Sequence, residues 1–434
     1  MELMQQRLPS PANLPESTVI LGAGVIGLST AYYLATDLNE TTAPTSSTPY
    51  PTITVVDPSH AICPGASGEA TGGLGDFGFA PDTASLGSLS YKLHRELAWK
   101  YNGTEKYGYS DLTIFRVAPK NFSGNPSPLD TWGPGPPVDR NISDLPAWLN
   151  PAADWNAQSM AGAPRAAHLE PGRFCRFLRE RCESLGVQIL LNSTAITLKK
   201  DHARRSFESL TIKTKSPKLS FKRVPCSALV IAAGPWSDRV FSQLFPTAKF
   251  KLQMNVTHSA GNHALVRNRR WKPSDDQKGV VQVFLDSLVS TKLDITSFLG
   301  GTIYIGGWGA TPEDLPEDAL AVKAQPDEIE AMLNLARPLL NLTDGDDLEK
   351  VEVGRAFRPL AVPNRPVITK VHWSQLGHSF PNENLIDYID RPHSRIDGGL
   401  YINTGHNSDG ITLATGSGKL MSELLLGRTP SIQM

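Results

Sequence analysis

The stretch TVILGAGVIGLSTAYYL, residues 18–34, leaves few choices for how this chain of 434 residues can begin to fold. Val19, Ile20 and Leu21 form a short β-branched and aliphatic run that suits one buried parallel strand. Gly22, Gly24 and Gly27 follow as G-x-G-x-x-G, with Val25 and Ile26 inside the turn, and residues 28–34 continue at helical apolar spacing. The first glycine allows a tight turn, the second lets backbone approach a pyrophosphate, and the third lets helix pack on strand. The free amides and positive dipole end of that helix then face the anion. The next strand, residues 53–56, ends at Asp57 and Pro58, which places a carboxylate to accept ribose hydroxyls. The gap from Gly27 to Asp57 exceeds the usual ~20 residues, and a Thr/Ser/Pro-rich connection at 37–51 accounts for the excess. Strand, turn, helix and acid in this order predict a dinucleotide site.

The length suggests two or three structural units. A formal net charge of −1 gives no reason to expect nucleic acid as a partner. The locally basic stretch from Lys199 to Arg223 reads as lysines on the outer face of a β-meander. No basic segment followed by an apolar run and cleavage site opens the chain. No run approaches the ~20 apolar residues of a membrane span, so the expectation is a soluble cytoplasmic protein. Four cysteines (Cys63, Cys175, Cys182, Cys226) show neither C-x-x-C nor disulfide-framework density, which fits a reducing compartment. Seven N-x-S/T sequons, among them Asn39, Asn102 and Asn341, pull the other way but lack an entry signal.

After Asp57, PSHAICPGASGEATGGLGDFG is a small-residue loop where backbone must pass close to something flat or anionic. Residues 85–101 read as an amphipathic helix with Leu89, Leu93, Leu97 and Tyr101 toward the core. Residues 121–151, rich in Pro, Gly, Ser and Asn, read as a lid, a binding loop or disorder. A helix opened by Pro171 (170–185) leads to a strand at 187–191. Leu210 and Ile212 mark a half-exposed meander by their period of two. The buried run 228–233 ends in Gly234, Pro235 and Trp236, within reach of the first strand if the sheet is doubly wound. Residues 250–309 are strand-rich and aromatic, and 325–340 form a helix with Ile329, Met332, Leu333, Ala336 and Leu340 on one face. The chain closes on strand, glycine loop and helix at 399–427.

Four segments, ILGAGVIGLSTAYYL, LVIAAGPWS, GRAFRPLAVPNRPVI and LYINTGHNSDGITLATGSGK, together resemble the FAD-dependent oxidases of the D-amino-acid oxidase and glycine oxidase superfamily. They span nearly the whole chain in the family's order. LSYKLHRELAWKYNGTEKYGYSDL looks more similar still to a fungal branch of oxidoreductases. The resemblance implies an α/β fold (α+β overall): a Rossmann-like FAD-binding domain with a β-meander, and an antiparallel-sheet substrate domain. The FAD domain would be discontinuous (16–84, 165–245 and 350–434), with 85–164 and 246–349 forming the substrate domain. Position by position, Gly22, Gly24 and Gly27 match the pyrophosphate turn, and Asp57 matches the ribose acid, where relatives more often carry Glu. Ala66, Ser67 and Thr71 match the loop passing pyrophosphate and flavin, and Ile196 the residue whose backbone meets adenine. Ala233, Gly234 and Trp236 match the second cofactor turn. Gly405, His406, Asn407, Ser408, Asp409, Gly410, Ile411 and Thr412 match the loop holding the flavin ring. The family commonly has glycines where this chain has Asn407, Ser408 and Asp409, and an inward Asp409 would repel an anionic substrate. Arg358 matches the arginine that grips a substrate carboxylate, against the plain alternative that it or Arg355 forms a surface ion pair. All four cysteines precede residue 227, so FAD is expected to be non-covalent.

The implied reaction is oxidation of a small carboxylate-bearing amine by hydride transfer to flavin. Oxygen would act as acceptor and give hydrogen peroxide. Positioning supplies most of such catalysis, without an obligatory protein acid or base. His258, His263, His372 and His378 are dispersed and read as structural, and no Cys/His set has metal spacing. Tyr304 and Trp308 are candidate pocket residues. A dehydrogenase or monooxygenase on the same scaffold, and a non-catalytic FAD-binding regulatory or trafficking protein, remain open alternatives. An NAD-dependent dehydrogenase would leave the C-terminal glycine loop without a role.

Overall fold

The computed structural model describes residues 14–41, 51–119, 145–151, 155–201, 206–215, 218–286, 292–308, 312–342, 348–377 and 398–433. The loop expected at 121–151 therefore falls, apart from 145–151, outside the described residues.

Strands Ser17–Leu21, Thr52–Val56, Ala228–Ile231 and Gly399–Thr404 are apolar along nearly their whole length and almost entirely buried. Such runs belong in the middle of a parallel sheet covered on both faces. They form a six-stranded sheet in the order Val367–Val371, Gly399–Thr404, Ala228–Ile231, Ser17–Leu21, Thr52–Val56, Gln188–Leu190, antiparallel only at the first edge. One face, with Ile20, Val55, Val230 and Tyr401, packs on helices. The other, with Val19, Leu21, Leu229 and Ile231, packs on the meander strands Ser193–Asp201, Ser206–Thr214 and Ser220–Pro225 and on helix Ser237–Leu244.

Helices on the first face approach closely because small residues line their contacts. A Cβ on Gly418 of the C-terminal helix Gly410–Leu425 would lie 2.6 Å from the Ser29 backbone of helix Val25–Thr41. The helix Ala84–Tyr101 joins them through polar anchors: Ser90 Oγ donates to Leu413 O, and Thr415 Oγ1 donates to Ser90 O. Its fully buried stripe is therefore Leu86, Ser90, Tyr91, His94 and Leu97. Leu89, Leu93 and Tyr101 pack only partly buried beside it. Of the residues at four-residue spacing, Leu97 lies in the buried stripe, and Leu89, Leu93 and Tyr101 mark its border.

A second, nine-stranded sheet has Ala260–Arg267, Thr302–Trp308, Lys292–Phe298 and Val280–Asp286 at its middle. One face, with Val266, Ile303, Ile305, Ile295 and Val283, covers helix Pro326–Ala336 through Ile329, Met332, Leu333 and Ala336. That helix was expected to run to 340. Pro338 has no amide hydrogen to continue it, and residues Arg337–Leu339 tighten into a 3-10 turn. Arg355, read as a possible surface ion pair, is instead buried and holds Glu313 and Glu328 beneath this sheet. Two elements also cross the expected domain boundaries. Helix Ala84–Tyr101 shares a core with the six-stranded sheet, and strand Lys350–Phe357 pairs within the nine-stranded one. No described helix is long and apolar enough to cross a membrane.

Candidate active site

The turn after the first strand is dictated by sterics. Gly22 has φ +116°, and a Cβ there would strike the carbonyl of Ala232 on the neighbouring strand connection. A Cβ on Gly27 would strike Gly22 O, so the third glycine seats the helix on the turn. Gly24 is different: a Cβ would meet only Ser67 Oγ, at 3.4 Å, and the residue is partly open to a cavity. Asp57 accepts hydrogen bonds from Ala23 N (2.7 Å) and Ser59 N (2.8 Å). Burial pushes its carboxyl up, and those two amides pull it back down. Ser67 Oγ accepts from Val25 N at 3.1 Å, which folds the small-residue loop over the helix start.

Within that loop Cys63 is disulfide-paired with Cys175 of helix Pro171–Ser184, 112 residues away. The four cysteines, read as lacking disulfide-framework density and so as fitting a reducing compartment, thus include one pair. The spacing carried no signal because the approach is made by tertiary packing, Cys63 N being held on Ala23 O at 3.0 Å. Cys182 and Cys226 are free and buried.

The cavity has a volume of about 1200 Å³, above the ~300–1,000 Å³ of a pocket for one small ligand. It opens at the carboxyl ends of the parallel strands, at Leu21, Val56, Ala232 and Thr404, where open α/β sheets bind ligands. It extends to the face of the nine-stranded sheet, at Gln282, Phe284, Asp294, Tyr304 and Gly306. Gly22, Gly24, Val25, Ile26, Asp57 and Pro58 line it, as do Ala66, Ser67 and Thr71. So do Ala233, Gly234, Trp236, Arg358, Asn407, Ser408, Gly410 and Ile411.

Five of the anticipated residues are not part of the lining. Gly27 and Gly405 act through backbone geometry, Gly405 at φ +85° where a Cβ would press on Ala361. Thr412 Oγ1 donates to Gly73 O. Ile196 sits at a register shift between Ala195 and Thr197, and its predecessors Ser193, Thr194 and Ala195 line the cavity instead. Asp409 lies between the lining residues Ser408 and Gly410; burial lifts its carboxyl to about 6, against the hydrogen bond it accepts from Ser408 Oγ at 3.4 Å.

The substitution of glycines at 407–409 has a conformational answer. Asn407 adopts φ +49°, a left-handed geometry that asparagine tolerates better than other non-glycine residues. Its amide donates to Pro359 O at 3.1 Å, and Leu360 bridges His406. The Arg358 segment is thereby pinned to the start of the C-terminal helix. Asn407→Gly is expected to leave thermal stability within about 0.5 kcal/mol. Asn407→Val should cost about 1–2 kcal/mol, read as a fall in unfolding midpoint. Behind the helix start, His94 Nε2 contacts Ile411 O at 2.9 Å, and burial lowers the imidazole to about 4, so it stays neutral.

At the other sheet, Arg358 donates from Nη1 to Ser259 O at 3.1 Å. Its guanidinium lies against Gly261, where a Cβ would be 2.9 Å from Nη1. Burial lowers its pKa, while Tyr304 and Asp294 favour its charge. Tyr304 donates its hydroxyl to Glu69 O at 3.3 Å and stacks on His263 with ring centres 4.9 Å apart. Burial, then Glu352, raises Glu69 to about 7, and burial lowers His263 to about 4. His258 and His372 are exposed, while His378 and the Trp308 side chain lie outside the described residues.

Asp294, Gln282 and Glu69 were missed. Burial lifts Asp294 to about 6, against hydrogen bonds from Gln282 and Thr296 and the charge of Arg358. The only sequence signal was the alternation in KLDITSF, which puts Asp294 and Thr296 on one face. That face becomes identifiable only once the register pairs Asp294 with Gly306 and Thr296 with Tyr304. No group of three or more metal-ligating side chains occurs among the described residues.

The family described as "FAD dependent oxidoreductase" (DAO) matches residues 17–424. A Schizosaccharomyces pombe protein bearing an oxidoreductase name is 25% identical over 236 residues, 52% of this chain and 56% of that protein. A D-amino acid dehydrogenase of Bradyrhizobium diazoefficiens is 22% identical over 300 residues, 66% of this chain and 56% of that one. The chain thus spans about half the length of these curated relatives. Among solved structures, glycine oxidase from Geobacillus kaustophilus superposes with a TM-score of 0.67 at 17% identity, covering 96% of both chains. Glycine oxidase from Bacillus cereus gives 0.65 at 20% identity over 95% of both. At these identities the likeness establishes the fold.

Proposed function

Because the chain belongs to the DAO family of FAD-dependent oxidoreductases, we propose that it oxidises a small amine bearing a carboxylate, an amino acid or N-substituted amino acid. The observation that carries the reading is Arg358, a half-buried guanidinium lining the same cavity as the Gly22–Gly24 turn. A rigid guanidinium fork matches a carboxylate bidentately. The residues present fit FAD: Gly24 leaves backbone open at a helix N-terminus, Asp57 keeps lone pairs for a ribose, and the left-handed Asn407 opens the C-terminal helix. FAD, when bound, supplies a two-electron acceptor for a hydride from the substrate carbon.

The protein's own part is to hold and orient. Arg358 fixes the carboxylate and Tyr304 walls the substrate. The start of the C-terminal helix, at Gly410 and Ile411, would hold the cofactor and favour negative charge there without a side-chain cation. FAD binding is non-covalent in this reading, supported by Cys63 being paired and Cys182 and Cys226 lying outside the cavity lining. The six-stranded sheet and meander would form the FAD domain and the nine-stranded sheet the substrate domain, with oxygen as acceptor.

Anaerobic addition of D-amino acids, N-methyl amino acids and cyclic imino acids to the yellow protein tests this. Bleaching by one class, reversed by air with peroxide formation, is the expected result. Bleaching with slow recovery in air would replace oxygen with another acceptor, in keeping with the dehydrogenase names among the relatives. A flavin reduced by no carboxylate-bearing amine would overturn the substrate reading.

A further inference from the structure

Asp294 is a carboxylate enclosed by protein yet open to the cavity. Gln282 Nε2 donates to both its oxygens, at 3.0 and 3.1 Å, and Thr296 Oγ1 donates to Oδ1 at 3.1 Å. Every donor holding it is neutral, and no cation pairs with it directly among the described residues. Enclosing a carboxylate this way is costly unless a positive group completes the site. Gln282 is 1% exposed, and its Oε1 is a buried acceptor without a partner. Gly306, paired with Asp294 in the sheet, has no side chain, and the Tyr304 ring folds across that bare position. Arg358 lines the same cavity and acts on Asp294 electrostatically. A fixed cation and a fixed anion thus share one chamber, with the Tyr304 ring within electrostatic reach of both.

We propose that Asp294 is the ammonium-binding residue of the site, so that the cavity takes a zwitterion, carboxylate on Arg358 and ammonium on Asp294, in preference to hydroxy acids or simple carboxylates. This rests on the reading of Arg358 as the carboxylate anchor. Hydrogen bonds to charged groups are the strong ones, and an alcohol at this position offers only a neutral donor. The preference is thereby for amines over alcohols at the reacting carbon.

The test uses the FAD-loaded protein and two unreactive probes of equal shape. 2-Aminoisobutyrate and pivalate differ by an ammonium in place of a methyl group, and neither has a hydrogen on the α-carbon to lose. Binding is read by calorimetry or by perturbation of the flavin spectrum near neutral pH. The wild-type protein is expected to hold 2-aminoisobutyrate about 10- to 100-fold more tightly than pivalate. Asp294→Asn should abolish that ratio while leaving pivalate affinity unchanged or improved. Equal affinity for both probes in the wild-type protein overturns the role of Asp294 and leaves the carboxylate reading standing. Binding of neither overturns both.

Should the variant fail to fold, the wild-type pH dependence decides. The groups facing Asp294 are Gln282, Thr296, Tyr304 and Arg358, with Glu69 and His263 beyond the tyrosine. Protonation of Asp294 as pH falls through about 6 should weaken 2-aminoisobutyrate alone. The step should persist in Glu69→Gln, which removes the neighbouring carboxyl that burial pushes up to about 7. A pH-independent ratio overturns the proposal.

Discussion

Replacing Arg358 with leucine is expected to lower kcat/KM for the amine substrate by about 10²- to 10³-fold while leaving FAD content unchanged. Truncating one partner of a buried, hydrogen-bonded charge pair costs about 2–5 kcal/mol, and each ~1.4 kcal/mol is tenfold. Two features raise the loss above that of a surface arginine. The guanidinium is held by Ser259 O and packed on Gly261, so it is already oriented when substrate arrives. Its removal also strips Asp294 of a cation that favours its ionised form. Arg358→Lys should recover only part of the activity, because a point charge cannot reproduce the fork and would have to bridge the space above Gly261. Gly261→Ala should behave as a milder Arg358 variant, raising KM by displacing Nη1. Steady-state kinetics with flavin absorbance as the loading control separate these outcomes. Unchanged kcat/KM in Arg358→Leu would remove Arg358 from the substrate site.

What could be read in advance and what could not divide along one physical line. The nucleotide turn was legible because its requirements are local: Gly22, Gly24 and Gly27 each answer a steric need within a few residues of chain. The helix Pro326–Ala336 was legible because its buried face repeats at helical period. Asp294 was not, because nothing in KLDITSF distinguishes a polar residue facing a cavity from one facing water until three strands have set their register. The Cys63–Cys175 pair was hidden for the same reason, being made by packing across 112 residues of sequence. Helix Ala84–Tyr101 misled through its leucines, since the face it buries is polar in part: Ser90 and His94 bond backbone of the C-terminal helix. Asn407 is the intermediate case. It read as a departure from a glycine pattern, and only its φ of +49° shows that it meets the same backbone demand.

The nucleotide turn yields a prediction in which fold and cofactor can be pulled apart. Gly22→Val is expected to destabilise the protein by about 2–4 kcal/mol and to yield colourless material. The residue sits at φ +116°, and its Cβ would meet the carbonyl of Ala232, which the sheet holds in place. Neither conflict can be relieved by rotating a side chain. Gly24→Ala should act on the cofactor alone. Its Cβ would be 3.4 Å from Ser67 Oγ, near ordinary contact, so the unfolding midpoint of the flavin-free protein should barely move. The added methyl nevertheless projects where a pyrophosphate must approach the first turn of the helix, and FAD affinity should fall about tenfold or more. Denaturation of the flavin-free proteins, followed by FAD titration, reads the two effects separately. A Gly24→Ala protein that binds FAD like the wild type would mean that the pyrophosphate does not cross the helix at this point. The assignment of the cavity's nucleotide end would then have to move, whatever the fate of Gly22→Val, because the first glycine is required by the sheet itself.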